Sequence, residues 1–200
     1  MDYDMNTLDL IAPQTSAYVS NGNSLSLEAQ EVFSRFRGLA LSAYIQRTPC
    51  AAQCLRLFHE AGAVVVNDHV ALRTFRDRFD ASGKEVLEQL FLAFGYKKED
   101  NILIDSMHLD CHWYEPPEQT NWPKVFISEQ QVSALPEEVA MLIYQTIADY
   151  YSNKPLEMLG LENPEMVDPQ RLTEFLEVPP WNPTSAIIER LKELSTEIPE

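Results

Sequence analysis

The sequence predicts an α+β fold: N-terminal helices, then a half sheet of one strand, one helix and three strands, then a helical, proline-rich segment. Three observations support this fold class. Apolar residues recur at helical spacing after Ser26, a run rich in β-branched residues begins at Ala63, and three short strand-like runs follow an amphipathic helix. Such a half sheet leaves an apolar face open, so we expect another element to complete it.

The N-terminal part is predicted to contain a poorly ordered lead-in over residues 1–25 and a helical segment over 26–62. Ser26 can cap a first helix, which continues until Pro49. The apolar face of this helix consists of Phe33, Phe36, Leu39, Ala40 and Tyr44. A second helix is expected over residues 51–60.

The segment 63–151 is predicted to hold the half sheet and one more helix. The run from Ala63 to Phe75 is apolar on both faces, which suggests a strand inside a sheet. Residues 83–96 have helical spacing, with Gly95 as a natural C-cap. Three strand-like runs follow: NILID, HLDCHWY and KVFISE.

The C-terminal part is predicted to be helical but irregular. Residues 135–151 carry an apolar stripe at helical spacing. Six prolines lie between Ser152 and Ser185, which favours a connecting region with short helices over residues 152–200, the last of them over residues 184–195. Because no closing strand precedes Glu200, we expect a truncation before a second unit.

Composition and charge exclude several classes of protein. The 200 residues are 45% hydrophobic and 23% charged, as in ordinary globular proteins. The net charge of −16 repels phosphate backbones and lipid headgroups, so neither nucleic acid nor a membrane is expected as a partner. No apolar run reaches the roughly 20 residues of a membrane span, and the N-terminus lacks signal-peptide features, which predicts a cytoplasmic protein. Cys50, Cys54 and Cys111 do not have zinc-ribbon spacing, and we interpret them as reduced thiols in the core.

The segment NDHVALRTF offers the best candidate site. In a strand, His69, Ala71, Arg73 and Phe75 share one face. His69 and Arg73 are then roughly 13 Å apart. A metal held by the imidazole and a carboxylate held by the guanidinium would frame a space for a small dicarboxylate. From the pattern alone, a hydrogen-bonded histidine and a salt-bridged arginine are the simpler interpretation.

A second polar group lies in HLDCHWY, where His108, Asp110 and His112 share one face. Two imidazoles and a carboxylate are the ligands of iron facial triads. Alternate residues of one strand are about 6.6 Å apart, however, and ligands normally converge from different strands. We therefore favour a solvated outer face. Ser128 and Glu129, at the end of KVFISE, could reach a site, but polar residues at the end of a strand usually meet solvent.

Five segments, spread over about residues 30–195, occur together in one known family. They are DHVALRTF, LFLAFGY, HWYEPP, PKVFISE and PPW. In this order they resemble the 2-oxoadipate dioxygenase/decarboxylases, also called hydroxyglutarate synthases. The resemblance implies a vicinal-oxygen-chelate-like fold, in which paired strand-helix-three-strand units curl around a metal.

The resemblance also implies an activity. Members of this family use an iron(II) cofactor, Fe(2+), and O2 to convert 2-oxoadipate, a 2-oxo dicarboxylic acid, to 2-hydroxyglutarate with release of CO2 in lysine catabolism. His69 matches the family's first metal-binding histidine, and Arg73 matches the arginine that binds the substrate carboxylate. The family has no ligands at the polar positions of HLDCHWY. Its further metal ligands follow the last helix, so they are expected beyond Glu200, and no catalytic residue is expected beyond the metal site.

Two other functions stay open at this point. A catalytically silent or incomplete half-module would use its open sheet to bind a partner chain, self-association included. A metal-dependent isomerase or lyase acting on a small oxo compound would keep the fold and change the chemistry.

Overall fold

The structure is a computed structural model that describes residues 25–118, 120–147, 159–178 and 183–195. The α-helices in these ranges are α1 (Leu27–Arg47), α2 (Pro49–Glu60), α3 (Gly83–Ala93), α4 (Glu137–Ile147), α5 (Pro169–Glu177) and α6 (Ser185–Leu194). The strands are β1 (His69–Phe75), β2 (Lys97–Ile104), β3 (Leu109–Glu115) and β4 (Lys124–Gln130). The predicted α+β class, with its strand-helix-three-strand order, is confirmed. The predicted lead-in lies outside the described residues except for Leu25, and the division into segments stays a prediction.

The N-terminal helices begin close to where the sequence places them. The Ser26 hydroxyl accepts a hydrogen bond from the backbone N–H of Ala29 at 3.1 Å and caps α1. Phe33 and Phe36 of the predicted apolar face are buried, whereas Leu39 and Tyr44 are exposed. Only part of that face therefore reaches the core.

Helix α2 begins at Pro49, two residues before the predicted start, because proline fits the first helical position. None of its residues is buried. Cys50 and Cys54 lie on it and are exposed, so placing them in the core was wrong. Cys111, on β3, is buried as predicted.

The sheet has the strand order β1-β4-β3-β2. β1 runs parallel to β4, while β4 with β3 and β3 with β2 are antiparallel. The parallel pair requires the crossover that α3 provides between β1 and the later strands. This topology brings the first and last strands together in the sheet.

Strand β1 differs from its prediction in length and position. It begins at His69 and not at Ala63, because its partner β4 begins at Lys124, opposite His69. Val64 and Val66, which precede it, are exposed. β1 also lies at an edge of the sheet, so the interior position inferred from its apolar sequence was wrong.

One face of the sheet, the covered face, packs against α3. It carries Val70, Leu72, Tyr114, Val125 and Ile127, which join a core with residues of α3, α1 and α5. Phe33 of α1 lies at the centre of this core. Its ring contacts those of Phe36, Phe91, Phe94, Tyr96 and Trp122, at centroid distances of 4.4–6.4 Å.

The opposite face, the open face, carries His69, Ala71, Arg73, Trp113, Lys124, Phe126 and Ser128. At one end of this face, Phe75 packs in a second cluster with Val139 and Ile143 of α4. Ala71 and His69, at the other end, are exposed. The candidate residues therefore lie on the face of the sheet that α3 does not cover.

Candidate functional site

His69 occupies the first position of β1, on the open face. Its Nδ1 lies 2.9 Å from Oδ2 of Asp68, and its ring meets the edge of Phe126 at a centroid distance of 5.2 Å. If Nδ1–H donates to Asp68, the lone pair of Nε2 is free. A hydrogen bond of this kind, from one ring nitrogen to a carboxylate, orients metal-binding histidines in many proteins.

Arg73 lies four residues along the same strand and faces the same way, as predicted. It is directly opposite Ser128 of β4. Among the described residues, Arg73 has no carboxylate partner, so the salt-bridged arginine of the simpler interpretation is not found there. A half-buried guanidinium without a carboxylate is suited to binding an anion.

Between these residues and β3, the open face is lined by aromatic rings. Phe126 stacks on Trp113 at a centroid distance of 6.1 Å, and the ammonium of Lys124 lies 5.1 Å from the Trp113 ring. Lys124 also forms an ion pair of 3.1 Å with Glu115. Phe126 and Trp113, the aromatic floor of the site, provide an apolar surface next to His69.

His69 is the metal ligand that the resemblance implies, but the described residues do not gather a full set of ligands around it. Within the part of the chain that the structure describes, no three His, Cys, Asp or Glu side chains cluster as a metal site would require. One imidazole cannot hold a catalytic metal ion. The geometry of His69 is that of a metal ligand, but the described residues do not contain enough further ligands to complete a metal site. The roles assigned to His69 and Arg73 stay predictions.

The polar residues of HLDCHWY do not form a solvated outer face, so that interpretation was wrong. Asp110 and His112 point to the covered face, where Nζ of Lys84 lies 2.7 Å from Oδ2 of Asp110 and 3.2 Å from Nε2 of His112. The Lys84 side chain is only 3% exposed. His108 precedes β3 in a left-handed turn with φ of 50°. None of the three approaches His69 as a ligand would.

The ionic cluster on the covered face shifts the pKa values of its members. Burial, together with the positive charges of Lys84 and Lys98, lowers the pKa of His112. Burial alone would raise the pKa of Glu88, but hydrogen bonds from Tyr114 and Lys98 outweigh it and lower this pKa. His112 is therefore held neutral and Glu88 ionised.

Glu129 is a buried charge that sequence reasoning placed in solvent. It is 0% exposed and binds Arg76 at 2.9 Å, the Ser82 hydroxyl at 2.6 Å and the backbone N–H of Lys84 at 3.0 Å. Strand alternation alone signals its position, because Val125 and Ile127 of the same strand share its face. Glu129 ties the end of β4 to the start of α3.

Comparisons with known proteins identify relatives of this chain. No protein-family model matches it. It is 27% identical over 140 residues to the protein named 2-oxoadipate dioxygenase/decarboxylase, chloroplastic, of Arabidopsis thaliana. The chain is thus similar to a 2-oxoadipate dioxygenase/decarboxylase. That alignment covers 64% of this chain and 37% of the Arabidopsis protein, so the chain spans about two fifths of the length of this relative. The predicted resemblance is confirmed.

Solved structures show the fold that these relatives share. The hydroxyglutarate synthase of Oryza sativa, solved with 2-oxoadipate, has a TM-score of 0.66 at 23% identity, over 92% of this chain and 57% of that one. A putative glyoxalase superfamily protein of Ralstonia eutropha JMP134 has a TM-score of 0.68 at 17% identity, over 96% of this chain and 64% of that one. The predicted vicinal-oxygen-chelate-like fold is thereby confirmed.

Of the helices in the described ranges, none combines the length and the hydropathy that crossing a bilayer demands. The cytoplasmic location stays a prediction.

Proposed function

We propose that this chain contributes His69 and Arg73 to an iron(II)-dependent dioxygenase/decarboxylase, which converts 2-oxoadipate and O2 to 2-hydroxyglutarate and CO2. One observation carries the proposal. In a relative of the 2-oxoadipate dioxygenase/decarboxylases, a histidine oriented for metal binding and an arginine without a carboxylate partner among the described residues share the open face of one strand.

His69 would be one metal ligand, through Nε2, while Asp68 fixes the orientation of its ring. Bound iron(II) would supply the centre at which the 2-oxo acid and dioxygen are brought together. The further ligands must come from outside the described residues, since these hold no three-ligand cluster. The described residues would then supply one part of the site.

Arg73 would bind the carboxylate of the substrate that is remote from the 2-oxo group. It lies four positions along β1 from His69, a separation of roughly 13 Å. A planar guanidinium can grip a carboxylate with two parallel hydrogen bonds. This fixes the direction of the dicarboxylate along β1 and places its oxo acid end near His69.

The aromatic floor would exclude water from one side of the bound substrate. Phe126 and Trp113 would contact the methylene chain of the oxo acid, and the two rings are stacked on each other. Removal of water strengthens the interaction between Arg73 and the carboxylate.

The test is oxygen uptake by the full-length protein, purified from its own cells and supplied with iron(II) and 2-oxoadipate, with 2-hydroxyglutarate and CO2 measured as products. Arg73→Ala is expected to lower kcat/KM roughly 100-fold, since it removes a charge-assisted hydrogen-bond pair to the substrate. Arg78→Ala is the matched control, because Arg78 is exposed and lies beyond β1, against Phe79.

Full activity of Arg73→Ala would refute the role of this arginine. Absence of oxygen uptake that depends on both iron(II) and 2-oxoadipate would refute the function itself. If the protein instead associated through its open sheet without binding iron, the silent half-module would be the better description. A product other than 2-hydroxyglutarate would favour the isomerase or lyase.

A further inference from the structure

Three side chains form one row across the open face. Arg73 of β1 is directly opposite Ser128 of β4, and Ser128 is directly opposite Cys111 of β3. Because neighbouring strands are about 4.8 Å apart, side chains in such a row are in reach of one another. The row lies between the exposed end of the face at His69 and the end that α4 covers.

Arg73 and Ser128 have donors that the described part of the chain does not use. By contrast, the ammonium of Lys124 pairs with Glu115 at 3.1 Å, and Nε2 of Gln130 donates to the backbone oxygen of Met107 at 2.9 Å. Within the described ranges, neither the Arg73 guanidinium nor the Ser128 hydroxyl has a hydrogen-bond partner. Both are partly buried, so leaving them unpaired costs free energy that a ligand could recover.

The surroundings of the row strengthen an interaction with an anion. Cys111, next to Ser128, is buried and presents a weakly polar thiol. Phe126 lies on the same strand, two residues before Ser128, and Phe75 lies two residues after Arg73. A hydroxyl and a guanidinium set among apolar side chains bind a carboxylate more strongly than they would in water.

We propose that Ser128 is a substrate-binding residue that works with Arg73: its hydroxyl donates to the carboxylate that Arg73 binds and so favours dicarboxylic over monocarboxylic 2-oxo acids. A carboxylate has about four lone-pair sites, so it can accept from both side chains at once. The inference rests on the proposed function for the identity of the substrate, but the anion subsite itself requires no iron.

The first experiment measures binding without metal. Protein treated with a chelator is titrated with glutarate, a dicarboxylate without an oxo group, and the dissociation constant is measured by NMR. Ser128→Ala is expected to weaken binding roughly tenfold, because a hydrogen bond to a charged group is lost. Ser128→Thr keeps the hydroxyl and suits a strand, so its affinity should stay within about threefold of wild type.

Ser133→Ala is the matched control for this experiment. Ser133 lies in the short 3₁₀ helix that follows β4 and is exposed, so the same atoms are removed outside the row. Its dissociation constant for glutarate should equal that of wild type. The thermal midpoint of each variant shows that the fold is intact.

The second experiment separates the subsite from the reaction. With iron(II) bound, Ser128→Ala should raise KM for 2-oxoadipate roughly tenfold and leave KM for 2-oxohexanoate, which lacks the second carboxylate, unchanged. Unchanged glutarate affinity and unchanged KM in Ser128→Ala would overturn the inference while the proposed function stands. Loss of glutarate affinity in a protein without turnover would support the subsite and refute the reaction.

Discussion

The two faces of the sheet differ in how their charged side chains are paired. On the covered face, Lys84, Asp110 and Glu129 each meet a partner of opposite charge within 3 Å and are shielded from water. On the open face, Arg73 has no carboxylate partner among the described residues, and His69 keeps one ring nitrogen free. Paired charges of the covered face thus stabilise the fold, while the unpaired groups of the open face remain available to a ligand.

The contrast follows from what burial costs. A charge that is buried without a partner destabilises the fold by several kcal/mol, so the covered face contains charges only as paired clusters. A partly exposed charge retains some hydration and can stay unpaired until a ligand arrives. A half-buried donor or cation without a partner is therefore a better candidate for ligand binding than a region in which charges are numerous and paired.

The largest expected effect concerns the buried carboxylate of the covered face. Glu129→Ala should lower the free energy of unfolding by about 3–5 kcal/mol, because Arg76, Ser82 and the Lys84 N–H lose their shared acceptor. Urea unfolding followed by circular dichroism measures this change.

Glu115→Ala is the matched comparison on the open face, since Glu115 also lies on a strand and pairs with a lysine. Its side chain is 38% exposed, so its removal should cost less than about 1 kcal/mol. Equal losses in Glu115→Ala and Glu129→Ala would show that the two faces do not differ in the way we describe.

A smaller effect on the free energy of unfolding is expected when pH changes the protonation of His112. Burial and the charges of Lys84 and Lys98 lower the pKa of His112 in the folded protein below the unfolded value of 6.5. The stability that depends on neutral His112 is present above pH 6.5 and is lost as pH falls through the folded pKa. In this window, wild type should lose at most about 1.4 kcal/mol more per pH unit than His112→Gln.

Urea unfolding at pH 7.5, 6.5 and 5.5 measures this difference. His59→Gln is the control, because His59 lies exposed on α2 and outside the sheet, and it should follow the wild-type pH dependence. If His112→Gln also follows wild type, protonation of His112 beside Lys84 and Lys98 costs no stability, and the description of His112 as neutral is wrong.

The sequence alone predicts much of the fold and a part of the site. The spacing of apolar residues identifies α1, α3 and α4, and alternation places His69 and Arg73 on one face of β1. Alternation also groups Asp110 with His112, but it does not say which face α3 covers. That depends on the crossover from β1 to the later strands, which is a long-range property, and the burial of Glu129 depends on the same contact.

The unpaired state of Arg73 likewise becomes visible only in three dimensions. The chain has 31 acidic residues, so an ion pair for any arginine is the natural expectation from composition. The cross-strand register contradicts this expectation, because it places Ser128 and not a carboxylate opposite Arg73. Glu129 is one position further along β4 and therefore points to the other face.

The smallest expected effect is the change in stability when Arg73 of the open face is removed. Arg73→Ala should change the free energy of unfolding by no more than about 0.5 kcal/mol, because this arginine has no ion pair to lose within the described residues. Arg76→Ala, three residues further along the chain, should cost several times more, since it leaves Glu129 buried without its cation. Urea unfolding of both variants measures the difference. A loss in Arg73→Ala as large as that in Arg76→Ala would mean that Arg73 serves the fold, and its availability to a substrate carboxylate would have to be abandoned.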